Sequence, residues 1–444
     1  MFHLLFGTSA SLADHPALHT PDALVIEPDP LGLCAWWVPR SLLAALRAVV
    51  PAADIDAALA PHRGVLSLVL RGLALTPEEA ERREAHAADP IGFMTHNGLV
   101  TGHVTKAWTL ALAPLVAGRT LVIPTLAGLD HHGFLVIQGF QSVLPPEERP
   151  TVVVAVGPGI TDAGRDLWTA EREGVLATVA LAEGLAETRV ERISPPVPAE
   201  EVAPSALPGR FDPLDDALEI RAWASGDADL LQAGAEAAFR AYGFTGVLRL
   251  GLRALDLLAP GDAARRMHRL VALAAYNRQV RRSDQTDELP ALLEAHFEAA
   301  LAGEEDPAVQ SHLYYRLAIN TGRRKGDLDQ GIAEGTRAIE LARDPRVPRG
   351  LGAFLEAWAR NGRAFSFATA RRGAEAMADC EAAWEMLAEA EQHPGAPTME
   401  LLPTRAVLAD NLARVSLLRR DHAAAARWQR ELEAAEQAMG GMTG

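Results

Sequence analysis

Up to about residue 190 the chain alternates short apolar runs with longer stretches whose apolar positions recur every three or four residues. FHLLFGTS, ALVIEP, LCAWWVP, TLVIP and TVVVAVG are short, rich in β-branched or aromatic residues and bounded by Gly, Pro or Asp, which predicts strands. SLLAALRAVV, TPEEAERREAHAA and VTKAWTLALAPLVAG carry helical spacing, and acids at the start of the second favour a helix N-terminus there. TLVIP, a helix around HHGFLVIQGFQSVL and then TVVVAV make a βαβ unit. Its two strands are expected to be parallel neighbours with a right-handed crossover. Residues 1–190 are therefore expected to fold as an α/β domain.

The pattern breaks at ERISPPVPAEEVAPSALPGRFDP, residues 191–213, where Pro195, Pro196, Pro198, Pro204, Pro208 and Pro213 prevent a continuous helix. This stretch reads as a linker. From residue 214 to 444 strand signals disappear. Ala-, Leu-, Arg- and Glu-rich amphipathic segments alternate with short breaks at Gly, Pro or Asp, which predicts an all-helical array.

The clearest unit of the array is HLYYRLAINTGRRKGDLDQGIAEGTRAIELARDP, residues 312–345. Gly326-Asp327 marks a turn between two helices. Gly331 and Ala338 are small residues on the second helix, Ile332, Ile339 and Leu341 its apolar face, and Tyr315 the large aromatic of the first. This unit resembles a tetratricopeptide repeat (TPR). Weaker copies carry Ala364, Ala376 and Ala383, then Leu412, Ala413 and Ala425, at the small positions, and two looser helix pairs precede them at 230–260 and 267–303. The spacing from Gly331 to Ala376 to Ala425 exceeds the standard repeat, so the units are elongated. The resemblance implies a superhelix whose concave face is lined by the first helix of each pair. Carried over position by position, it places Arg316, Asn320, Arg323 and Arg324 on that face, followed by Asn361 and Phe365, then Asp410 and Arg414. An Arg and an Asn four apart share a helix face and suit a peptide carboxylate or main-chain amides.

Composition narrows the function. The net charge of −16 argues against broad nucleic-acid or anionic-membrane binding, and no apolar run is long enough to span a bilayer. The opening residues lack the basic segment of a signal peptide, and the two cysteines, Cys34 and Cys380, stand far apart, so a cytoplasmic protein without a disulfide framework is expected. Lys106 and Lys325 are the only lysines, so nearly all positive charge is arginine, which favours bidentate contacts with carboxylates.

Motifs for chemistry are incomplete. TVVVAVGPGITDAG, residues 151–164, opens like a phosphate loop. However, Asp162 stands where a dinucleotide motif needs its third glycine, and Pro158 removes a backbone N–H. The βαβ stretch from Thr120 to Val156 resembles part of a STAND-type regulatory NTPase, in which a Walker B strand, a helix and a sensor strand precede helical repeats. Here the strand ends Ile123-Pro124-Thr125, with Asp130 beyond a loop. No G-x-x-x-x-G-K-[ST] string occurs, and Ala107 follows Lys106 where a hydroxyl is required. His15 and His19 share a loop with Asp14, His96 and His103 flank a glycine loop, and His131-His132 are adjacent, none with metal-ligand spacing. G-x-S-x-G is absent, and Cys34 before Trp36-Trp37 reads as core.

No cofactor, metal or catalytic residue is therefore expected. The reading that follows is a noncatalytic accessory or scaffold protein that captures an extended peptide in a TPR-like groove, in its finest form a precursor peptide of a bacterial natural-product pathway. An apolar outer face on the terminal helix would cap the array or support a homodimer. The alternatives are a STAND-like NTPase gated by its repeats, and an enzyme with an unrecognised site in residues 1–190.

Overall fold

The computed structural model describes residues 2–6, 15–26, 34, 36–70, 73, 75–80, 97–124, 131–156, 188–192, 218–280 and 288–441. The Gly157–Gly164 loop, the helix expected after it and residues 193–213 of the expected linker lie outside these. The chain divides into two compact units. One comprises residues 1–75, 100–259 and 273–293; the other comprises 76–99, 260–272 and 294–444.

The first unit is built on a parallel sheet. Its strands are β1 (Phe2–Phe6), β2 (Leu24–Val25), β3 (Thr120–Ile123), β4 (Thr151–Val156) and β5 (Thr188–Arg192), in the order β2-β3-β4-β1-β5. The expected βαβ unit is present: β3 and β4 pair from Thr120↔Thr151 to Ile123↔Val154, joined through helix His131–Val143. β4 alternates as a strand covered on both faces must. Val152 and Val154 pack into one core with Trp108, Val136, Ile137 and Phe140, while Val153 and Ala155 face the other way with Leu5 and Val122.

Among the described residues, the longer helices between these strands are α1 (Trp37–Arg47), α2 (Ala52–Leu59), α3 (Asn97–Val116) and α4 (His131–Val143). α4 approaches α3 closely because residue 139 is glycine; a Cβ there would stand 2.5 Å from Thr109 Oγ1. Within the expected strand LCAWWVP, the described residues 36–39 are instead the cap and first turn of α1. Trp36 takes a left-handed φ of 58° as its N-cap, and Pro39 sits in the first turn, where a missing N–H costs no hydrogen bond. Trp36 and Trp37 are each 1% exposed, so burial of the indoles fits either conformation and packing decides. β5 was not expected from TRVER, whose single strong apolar residue is Val190. It is an edge strand, where charge is tolerated and deters further pairing.

The first helices of the array, α5 (Leu218–Ser225), α6 (Ala228–Arg240) and α7 (Phe244–Leu255), belong to this same unit. Trp36 Nε1 donates to the carbonyl of Ala241 at 3.0 Å, tying the α6 end to the sheet core. α8 (Asp262–Val280) and α9 (Glu288–Leu301) follow, and the division between units falls within them.

The second unit is a run of helix hairpins: α10 (Pro307–Ile319) with α11 (Leu328–Ala342), α12 (Arg349–Thr369) with α13 (Gly373–Ala390), and α14 (Thr398–Leu418) with α15 (His422–Gly441). The protein is thus an α/β domain plus an all-α helical-repeat array. Each hairpin turns through one left-handed residue, Gly326, Arg371 or Arg420. Asp306, Asp327 and Asp421 cap α10, α11 and α15 by accepting from the N–H groups of Ala308, Gln330 and Ala424. The elongated spacing has a simple cause: α12 and α14 each run 21 residues.

Candidate functional site

α10 does not run straight into its turn. Residues Asn320–Lys325 form a π-helical segment, which accommodates one more residue per turn than an α-helix. Counting back from the left-handed turn residue, Ala364 and Ala413 lie seven positions upstream in α12 and α14. In α10 that count gives Ile319, but the π segment absorbs one residue and the small buried position falls to Ala318, 1% exposed beside Ala364 at 2% and Ala413 at 6%. Gly331 of α11 packs there; a Cβ on it would stand 3.1 Å from the Ala318 carbonyl and 3.0 Å from Gly322 Cα.

This shift turns everything before the π segment by about a quarter of a helical turn. The structure accordingly places Arg316 and Asn320 in the interior, 4% and 1% exposed, although an unbroken α-helix would carry them on the face of Arg323 and Arg324. Arg316 Nε donates to His312 Nε2 at 3.0 Å and its guanidinium lies 5.2 Å over the Tyr315 ring. Asn320 Oδ1 accepts from Arg324 Nη1 at 3.4 Å. Arg323 remains exposed, and its guanidinium stands 5.4 Å over the ring of Phe365, 38% exposed on α12. Asn361 is 9% exposed and its Oδ1 accepts from Asn411 Nδ2 on α14 at 2.8 Å. Asp410 and Arg414 pair with each other along α14 at 2.8 Å and are both solvent-accessible.

Ile319, Phe365, Asp410 and Arg414 therefore mark one side of α10, α12 and α14, with Tyr315, Trp358 and Asn361 buried below them. Beneath it runs a line of contacts that sequence reasoning missed. The Tyr315 ring lies 5.8 Å from Trp358, and Trp358 Nε1 donates to Thr404 Oγ1 at 3.2 Å, linking the three first helices. The i, i+3, i+7 spacing of Trp358, Asn361 and Phe365 carries that signal in the sequence. Leu417 and Leu418, 53% and 73% exposed at the end of α14, were missed as well.

An ion network holds α12 against the second helices. Arg363 grips Asp379 through Nε and Nη2, both at 2.7 Å, and donates to Thr336 Oγ1 at 2.8 Å. Arg360 bridges Asp379 and Glu356, and Arg343 holds Glu356 by two bonds of 2.8 and 2.7 Å. Burial pushes the Glu356 carboxyl up, but hydrogen bonds from Arg343 and Arg360 outweigh it and keep its pKa below the ordinary carboxylate value. Every acid in this network is matched, so its chemistry is structural.

The residues with side chains suited to catalysis fall elsewhere. Lys106 lies inside the 20-residue α3 and not in a strand-to-helix loop. Burial first, then the nearby Lys106 charge, holds the imidazoles of His62 and His103 below their ordinary pKa. His15 caps a short helix by accepting from the Ala17 N–H. His96 lies outside the described residues, as do the side chains of His131 and His132. Among the described residues no group of three or more His, Cys, Asp or Glu converges as a metal site. Cys34 is buried, and burial followed by the charges of Asp379 and Glu381 pushes the Cys380 thiol up to about 12, which makes it a poor nucleophile. No described helix is long and apolar enough to cross a membrane.

No protein-family model matches the chain, and no curated protein matches it. Among solved structures it is similar to a Signal Transduction ATPase with Numerous Domains (STAND) protein with a tetratricopeptide repeat sensor from Pyrococcus horikoshii. The identity is 10%, over 99% of this chain and 75% of that one, with a TM-score of 0.34.

Proposed function

We propose that this protein is a noncatalytic binding module that takes up an extended peptide or protein segment along the first-helix side of α10, α12 and α14. The observation that carries the reading is the Arg323–Phe365 pair. It joins two consecutive first helices and leaves both a cation and an aromatic edge open to solvent. A guanidinium resting on a ring is partly desolvated, so a carboxylate reaching it gains more than from a fully hydrated arginine. Leu417 and Leu418 add apolar area toward the end of α14, and Arg414 adds charge already shared with Asp410. Such a surface suits a segment that alternates acidic and apolar side chains, with register along the helices giving specificity. An accessory role, escorting a precursor peptide, is the finer form of the same reading.

Selection from a displayed random-peptide library, followed by solution anisotropy on labelled winners, tests the proposal. Winners rich in Asp or Glu and apolar residues are expected, and their affinity should fall roughly tenfold or more in Arg323→Glu and Phe365→Ala. Winners indifferent to both substitutions would overturn it. So would magnesium-dependent ATP hydrolysis by the purified chain that disappears in Lys106→Ala.

A further inference from the structure

A separate pair of side chains stands outside that surface. His268 lies on α8 and His296 on α9, and their Nδ1 atoms are 2.7 Å apart. The ring centroids are 4.9 Å apart and the ring planes are inclined by 39°. Two imidazole nitrogens can approach so closely only if one carries a proton and the other offers its lone pair. The distance is met by two neutral rings or by one imidazolium donating to a neutral ring, and burial of both rings favours the neutral pair. Burial lowers the pKa of both, and His268 lowers His296 further. Arg265, three residues before His268 on α8, is held elsewhere: it donates to the Gly303 carbonyl at 2.8 Å and pairs with Asp262 at 2.5 Å, while Arg266 and Arg269 flank His268 more closely in sequence. Both imidazoles are only partly buried, which leaves the pair a path to solvent.

Neutral imidazole is the form that binds transition metals, and convergence of two ring nitrogens on one point is the geometric requirement for chelation. Two nitrogens each about 2.0–2.1 Å from one ion lie about 3 Å apart, so a shift of a few tenths of an ångström converts this pair. We propose that His268 and His296 form a two-imidazole site for a borderline transition-metal dication, bound through both Nδ1 atoms.

The protonation balance closes without a net proton. The ring that donates from Nδ1 loses that proton to solvent and takes one at Nε2, so each neutral ring keeps one N–H and turns a lone pair to the metal. Water fills the remaining positions. By the general affinity order copper(II) binds tightest, ahead of nickel(II) and zinc(II). The ion would cross-link α8 to α9 in place of the hydrogen bond.

The test titrates the tag-free full chain with copper(II) and zinc(II). One equivalent of copper is expected to show electron-spin hyperfine coupling to two imidazole nitrogens. Its affinity should drop roughly tenfold or more in either His268→Gln or His296→Gln, and persist in the His15→Gln/His19→Gln double variant. Nitrogen NMR of the wild-type chain, which needs no variant to fold, should show both Nδ1 resonances moving to the metal-bound range with zinc while both Nε2 atoms become protonated. Copper affinity unchanged in both single variants, or Nδ1 resonances unmoved at saturating zinc, would overturn the proposal.

Discussion

Asn411 donates from Nδ2 to the Oδ1 of Asn361 at 2.8 Å, joining the first helices of two consecutive hairpins by a side-chain bond fifty residues apart in sequence. Asn361 is 9% exposed, so its carbonyl has little water to fall back on. Asn411→Leu should destabilise the protein by about 1–3 kcal/mol, the cost of an unpaired buried polar group. Replacing both residues with leucine should recover most of that loss, because the pair is removed together. Urea denaturation of the two variants checks this, and equal losses in single and double variants would contradict it.

Asp379 is the anion on which the ion network turns. Its side chain is 5% exposed and two arginines, Arg360 and Arg363, close on it at 3.0 and 2.7 Å. Asp379→Ala leaves two guanidinium groups half-buried with one anion fewer, and should cost about 3–5 kcal/mol. Arg349 pairs with Glu389 at a similar 2.8 Å but is 70% exposed, so Arg349→Ala should cost under about 1 kcal/mol. The comparison separates burial from distance as the source of the energy, and thermal denaturation reads it directly.

Two helical glycines should respond in opposite directions. A Cβ at Gly331 would meet backbone atoms of Gly322 at 3.0 Å and the Ala318 carbonyl at 3.1 Å, none of which can swing aside. Gly331→Ala should therefore force α10 and α11 apart at a cost of about 1–3 kcal/mol. Gly102 sits in α3 with nothing within 4 Å of its Cβ position, and Gly102→Ala should stabilise by about 0.5–1 kcal/mol. Chemical denaturation midpoints moving the same way would refute the close-approach argument.

The parts of the fold legible in the sequence are those fixed by local pattern. TLVIP and TVVVAV pair as read because β-branched runs around one helix leave a single short crossover, and the serial helix pairs follow from Gly and Asp at their turns. LCAWWVP was misread because a continuous apolar run carries no period, so the left-handed Trp36 and the packing of two indoles choose the helix. The candidate surface was legible from the end of the π segment onward, where its last turn is again in phase with Gly326. Arg323, Phe365, Asp410 and Arg414 stand where repeat spacing puts them, whereas Arg316 and Asn320 turn inward because Asn320–Lys325 takes up one residue. Residue types in NTGRRK give no cue to that insertion; it follows from seating Ala318 against Gly331 while the turn stays at Gly326.

The His268–His296 pair gives the protein a pH dependence of definite sign. His296 is pushed down to about 4, first by burial and then by His268, against an ordinary value of 6.5. Between these values the unfolded chain binds a proton that the native chain does not, so stability rises with pH through that window. The contribution is complete above about pH 6.5 and is lost as pH falls toward 4. After discounting for partial exposure it amounts to about 2 kcal/mol. Carboxylates titrate over the lower part of the same range, so the quantity to measure is the difference between wild type and His296→Gln. Urea midpoints at pH 7.5, 5.5 and 4.5 should show the wild type losing more stability on acidification than the variant. Parallel curves would mean that the native imidazole protonates as readily as the unfolded one, and that the two Nδ1 atoms do not share a proton in the folded protein.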